Sequence, residues 1–155
     1  RRWPDTLVVK LTERRPFAIW QYQHKFTLID RAGQVVADQD VAAFSTLPLV
    51  VGPDAPANAA AMLDLLAQYP TLRPYVAALV RVGERRWNLH LGTGADVMLP
   101  EGHEAEALAR LAELQASNAL LDRPLAVVDM RLPDRLVVRP KPEPRDPAAP
   151  PRKNT

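Results

Sequence analysis

The chain has no cysteine in 155 residues, so disulfides and thiolate chemistry are excluded. That absence fits a reducing and an oxidising compartment equally. An excess of charge of one sign is also missing. Twenty Lys and Arg face 18 Asp and Glu, a net +2, too little to make nucleic acid the default partner. Long apolar runs are missing as well. The longest uncharged stretch, Val41 to Pro53, is short and proline-interrupted, whereas a bilayer span needs about 20 apolar residues. No such run follows Arg1-Arg2-Trp3-Pro4, so no signal peptide is expected. The chain reads as a soluble piece, whole or cut from something longer. With 47% apolar residues at this length, one domain with one real core is expected.

What is present is short and β-rich. Leu7-Val8-Val9-Lys10-Leu11, Phe17 to Tyr22 and Phe26 to Asp30 read as strands, with Gln23-His24-Lys25 as a hairpin loop between the last two. After a turn at Arg31-Ala32-Gly33-Gln34, Val35-Val36-Ala37 is expected as a short fourth strand. Tyr75 to Val82, Arg86 to Leu91 and Asp96 to Leu99 follow, the last two joined through Gly92-Thr93-Gly94. Leu125 to Leu132, the turn Pro133-Asp134-Arg135 and Leu136 to Arg139 close the series.

Two segments carry helical periodicity. Ala59, Met62, Leu63, Leu66 and Tyr69 make one apolar face, with Asp54 as the expected cap, Pro56 in the first turn and Pro70 as the stop. From Glu104 to Ala116, Leu108, Leu111, Ala112 and Gln115 line one side, with Glu106 and Arg110 an expected i,i+4 pair. The predicted class is α+β: a mostly antiparallel sheet with two helices. Six prolines after residue 139 leave a tail without apolar periodicity, expected to be disordered.

Residues that could do chemistry are scattered. His24, His90 and His103 sit in three settings with no metal-ligand spacing, so no metal or cofactor is expected. Gly92-x-Gly94 lacks the third glycine and the following helix of a phosphate cradle. Ser45 and Ser117 lack a nucleophile-elbow setting. Asp30 reads as a turn-former, and Asp129 as the partner of a nearby arginine. The doublets Arg14-Arg15 and Arg85-Arg86 near Trp20 and Trp87 read as solvated arginines beside strand tryptophans. No enzyme is expected, and a hydrolase using His24 or His90 with Asp30 or Asp129 is the least favoured reading.

One pattern is more specific. Trp3-Pro4-x-x-Leu7-x-Val9-x-Leu11-x-Glu13-Arg14-x-Pro16-x-Ala18-x-Trp20, then Leu28-Ile29-Asp30-x-x-Gly33-x-Val35, resembles the FtsQ/DivIB family of bacterial cell-division proteins. Leu47-Pro48-Leu49-x-x-Gly52, Arg85-Arg86-Trp87-Asn88-Leu89-His90-Leu91 and Val128-Asp129-Met130-Arg131-Leu132 follow in the family's order. The resemblance covers about residues 3 to 139. It implies that residues 1–15 are the last strand of a POTRA domain and the join, 16–140 a β domain, and 141–155 the Pro-rich tail. It further implies a single-pass inner-membrane protein whose helix precedes this piece, with this region in the periplasm. Such proteins are non-enzymatic scaffolds that bind FtsB and FtsL and support septal peptidoglycan synthesis.

The resemblance places the partner contact on Arg131, Leu132 and the last strand, Leu136, Val137, Val138 and Arg139. Leu132 departs from the family, where an aromatic residue is common. Strand physics points to the same place. Pro140 and the tail leave the last strand's outer edge without an obvious cover, and an uncovered edge offers unpaired backbone groups to another chain. Leu136 and Val138 are the expected side-chain anchors, with Arg131 and Arg139 for acidic groups. The alternative function is a POTRA-linked module of an outer-membrane protein transport system.

Overall fold

The computed structural model describes residues 15–36, 41–132 and 134–142. The strand expected at Leu7 to Leu11, most of the expected POTRA piece and nearly all of the Pro-rich tail lie outside them. The first described elements are a tight hairpin. Strand β1 (Ala18–Tyr22) pairs antiparallel with β2 (Lys25–Ile29), and the chain reverses through Gln23 and His24 at φ 50° and 63°. Of the expected fourth strand at Val35 to Ala37, Val35 makes a single bridge with Ile29, and Ala37 lies outside the described residues. Gly33 fixes this turn. Its φ is +87°, and a Cβ there would lie 2.5 Å from the Pro56 carbonyl oxygen, so the turn can abut the helix start only because the side chain is absent.

A strand that periodicity does not signal, β3 (Leu49–Val51), inserts between β1 and the later strands and runs parallel to both neighbours. Three residues are too few to show a period, so its position is set by tertiary pairing. Then follow α1 (Ala55–Ala67), β4 (Val76–Val82), β5 (Arg86–Leu91), β6 (Asp96–Met98), α2 (Glu104–Asn118), β7 (Leu125–Asp129) and β8 (Val137–Pro140). The sheet order is β2-β1-β3-β4-β5-β6-β7-β8. Four of its seven pairings are antiparallel. Parallel neighbours need a crossover, and for two of the three parallel pairs the helices supply it as β3-α1-β4 and β6-α2-β7. The expected α+β class with a mostly antiparallel sheet and two helices holds.

Both helices cover one face. Ala59, Met62 and Leu66 of α1 share one cluster with Leu108 and Leu111 of α2 and with Val50, Leu79, Leu89, Val97 and Val128. Those last five sit opposite one another across β3 to β7, so their side chains form a single row under the helices. Each such buried aliphatic side chain contributes about 1.5–3 kcal/mol relative to exposure. On the other face, Ile19, Leu28 and Val36 make a smaller cluster with Val41, Phe44 and Leu47.

Two expected capping and pairing details differ. Asp54 precedes α1 without a side-chain cap bond; its Oδ2 accepts from Arg81 Nε at 3.1 Å instead, an ion pair outcompeting the cap. Glu106 meets His103 Nδ1 at 2.9 Å in place of the expected Arg110 pairing. Among the described residues no helix is long and apolar enough to cross a membrane.

Candidate functional site

The edge of the sheet is where the buried row emerges. Val138 lies opposite Val128 and so continues the row Val50-Leu79-Leu89-Val97-Val128, whose members are 0–1% exposed. Val138 itself is 36% exposed and Val137 47%, because β8 lies beyond the helical cover. Among the described residues its outer backbone is also unclaimed. Met130 N–H donates to the Met98 carbonyl, so Val128 and Met130 turn their backbone groups to β6, and Val127 and Asp129 turn theirs to β8. Their register partners Arg139 and Val137 therefore face inward, and Val138 presents its N–H and C=O outward.

The other expected contact residues surround this edge. Leu136 packs partly buried against the core, so it supports β8 more than it projects from it. Arg139 is exposed and lies opposite Val127. Leu132 is 54% exposed. Arg131 is held in a fork: Nε and Nη2 donate to the two Asp129 oxygens at 2.9 and 2.7 Å, and its own N–H bonds Oδ1 at 3.1 Å. Chiefly because of that pairing, and with a smaller contribution from Arg86, the Asp129 carboxyl sits below the ordinary aspartate range. The pairing predicted for Asp129 is present, and Arg131 is thereby aimed rather than loose.

Two concavities flank Leu132 and Arg131. A groove of about 480 Å³ runs between α2 and the β7–β8 connection, lined by Pro100, His103, Ala107, Arg110, Met130 and Leu132 among others. A second cleft, about 400 Å³, is lined by Val82, Gly83, Arg85, Arg86, Glu101 and Arg131. Arg131 is already paired with Asp129, so Arg85 and Arg86 against Glu101 leave the cleft mildly basic. In the sequence Arg85-Arg86 reads as a solvated doublet; that it lies beside Arg131 is visible only once the strand order is known.

The scattered titratable groups are not gathered by the fold. His90 Nδ1 lies 2.8 Å from Asp96 Oδ1 across β5 and β6. Asp30 accepts the Gln34 N–H, and His24 is at the hairpin tip. Among the described residues no hydrogen bond joins His24 or His90 to Asp30 or Asp129, and there is no cluster of three metal-ligating side chains.

An edge-presenting α+β domain of this kind matches the family model of the C-terminal region of a bacterial cell-division protein, "Cell division protein FtsQ/DivIB, C-terminal", over residues 18–131. The chain belongs to the FtsQ/DivIB family. It is 42% identical over 155 residues to the cell division protein FtsQ of Zymomonas mobilis, covering 99% of this chain and 49% of that one. With the Rhizobium meliloti FtsQ it shares 45% over 141 residues, 91% of this chain and 46% of the relative. The chain thus spans about half the length of the curated relatives it matches. A solved structure of the major extracytoplasmic domain of DivIB from Geobacillus stearothermophilus aligns at TM-score 0.45 and 18% identity, covering 70% of this chain and 97% of that one. Membership in a cell-division family sets aside the transport-module alternative.

Proposed function

We propose that this domain is a non-catalytic divisome scaffold that binds FtsB, and through it FtsL, by accepting a strand at β8, in support of septal peptidoglycan synthesis. The domain works in the periplasm, tethered to the inner membrane by a single helix N-terminal to this piece. The observation that carries the reading is the Val138 backbone, outward and unpaired among the described residues, at the point where the core's apolar row becomes exposed. A strand laid there satisfies Val138 N–H and C=O and covers Val138 and Val137. Acidic side chains on that strand meet Arg139, which is exposed on β8.

Val138→Pro removes the outward donor while leaving the β7–β8 bonds of Val137 and Arg139 intact. The expected result is FtsB affinity reduced at least tenfold by calorimetry, with an unchanged circular-dichroism spectrum. Unchanged affinity in a folded variant overturns strand addition at β8.

A further inference from the structure

The sheet has a second edge, β2, and it too is only partly closed. Ile19 N–H donates to the Pro48 carbonyl and the Gln21 carbonyl accepts from Gly52, so both turn to β3. Trp20 and Tyr22 therefore give their backbone groups to β2, where their register partners are Thr27 and Lys25. Phe26 and Leu28 are left facing out. The Leu28 carbonyl is taken by Val36 N–H at 2.9 Å, beside the Ile29–Val35 bridge. Among the described residues Phe26 has no such partner, and its side chain is 54% exposed.

Around Phe26 the edge is regular. β2 carries no proline and pairs with β1 without a register shift, and a regular, exposed edge of this sort is a template for another strand. The hairpin stays regular to its tip because Gln23 and His24 both adopt positive φ. That geometry matches the twist of the two strands, but non-glycine residues occupy it only at a cost in strain. The charge is one-sided. No carboxylate occurs from Phe17 to Ile29, where the charged group is Lys25, and it is exposed. Lys25 has no ion-pair partner among the described residues.

We propose that β2 is a second docking edge that takes an extended, acidic polypeptide segment, centred on the Phe26 backbone and held by Lys25. The sheet is then bivalent, extended at β2 independently of what happens at β8.

The probe is a blocked seven-residue peptide alternating glutamate and valine, compared with its lysine–valine counterpart. Amide-resolved hydrogen exchange is read on the 155-residue chain. The acidic peptide is expected to slow exchange at Phe26 at least tenfold, the basic one to leave it unchanged. Lys25→Glu is expected to remove at least tenfold of the acidic peptide's affinity, and Phe26→Pro to abolish the effect at the neighbouring amides. Val138→Pro leaves all of this intact, which separates failure here from failure of the β8 reading. The proposal is overturned if Phe26 is already protected without peptide, if both peptides protect it equally, or if protection appears only at Val137 to Arg139. It is overturned as well if protection at Phe26 rises with protein concentration alone, which would make a second copy of the chain the occupant. Should Phe26→Pro not fold, the Lys25→Glu result decides.

Discussion

At the scale of single residues, three positions carry more than their side chains suggest. Gly33 lets the β2–α1 approach happen, since any Cβ would strike the Pro56 carbonyl at positive φ. Gly33→Ala is expected to cost more than about 1 kcal/mol in urea unfolding, combining backbone strain with the clash. Asp129 orients Arg131 through three hydrogen bonds. Its carboxyl is held below the usual value by that pairing, as Asp64 is by Arg31 and Asp122 by Tyr75. A depressed folded-state pKa means the unfolded chain binds protons first as pH falls. The stability these groups give is therefore fully present above about pH 4 and lost as pH drops through their lowered values. Unfolding free energy is expected to vary little from pH 7 to 5 on their account and to fall below pH 4, as urea titrations at fixed pH would read. The Arg131 fork thus remains aimed at the cleft across the neutral range.

At the scale of elements, α2 shows how an end is secured. Gln115 donates to Tyr75 Oη at 3.0 Å and Asp122 Oδ2 at 2.9 Å, and accepts the Leu121 N–H at 2.7 Å. Tyr75 closes the set by donating to Asp122 Oδ1 at 2.7 Å. Gln115→Ala leaves Leu121 N–H without its acceptor and is expected to cost about 1–3 kcal/mol, measurable by thermal or urea unfolding. The residue after α2, Ala119, is left-handed at φ 47°, a conformation in which a Cβ is penalised. Ala119→Gly is expected to raise stability by about 1 kcal/mol despite glycine's greater unfolded-state freedom. In the opposite direction, Leu108→Ala on the buried face of α2 is expected to cost about 2–5 kcal/mol.

At the scale of the whole molecule, the sheet is closed by helices on one face and open along its ends. The strands β3 to β7 carry the row of fully buried side chains, whereas β8 is exposed at every position. Native-state hydrogen exchange is accordingly expected to be slowest at Leu79, Leu89 and Val97 and fast at Val138, with Val138 slowed when FtsB is added. A Val138 amide already protected in the isolated chain would contradict the open edge.

Strands with a regular burial period were legible from residues alone. Arg86 to Leu91 alternates core and outer side chains as Trp87, Leu89 and Leu91 are buried, and both helices follow from apolar spacing of three and four. β3 was not legible, being three residues whose pairing with β1 and β4 is decided by neighbours far along the chain. The expected strand at Val35 also gave way, because one bridge suffices once Gly33 has turned the chain toward α1. Of the candidate edge, Val138 and its exposure could be anticipated from the terminal position of the strand. The basic cleft could not, since Arg86 and Arg131 are 45 positions apart and meet only through strand order.

The amino-acid order by itself determined which segments are apolar on one side, and hence the elements, the α+β class and the family, because side-chain periodicity is a local property. Only the tertiary structure decided which backbone groups remain unpaired at the two edges and which arginines share a cleft. Those depend on register and strand order, which are fixed by contacts between residues distant in sequence.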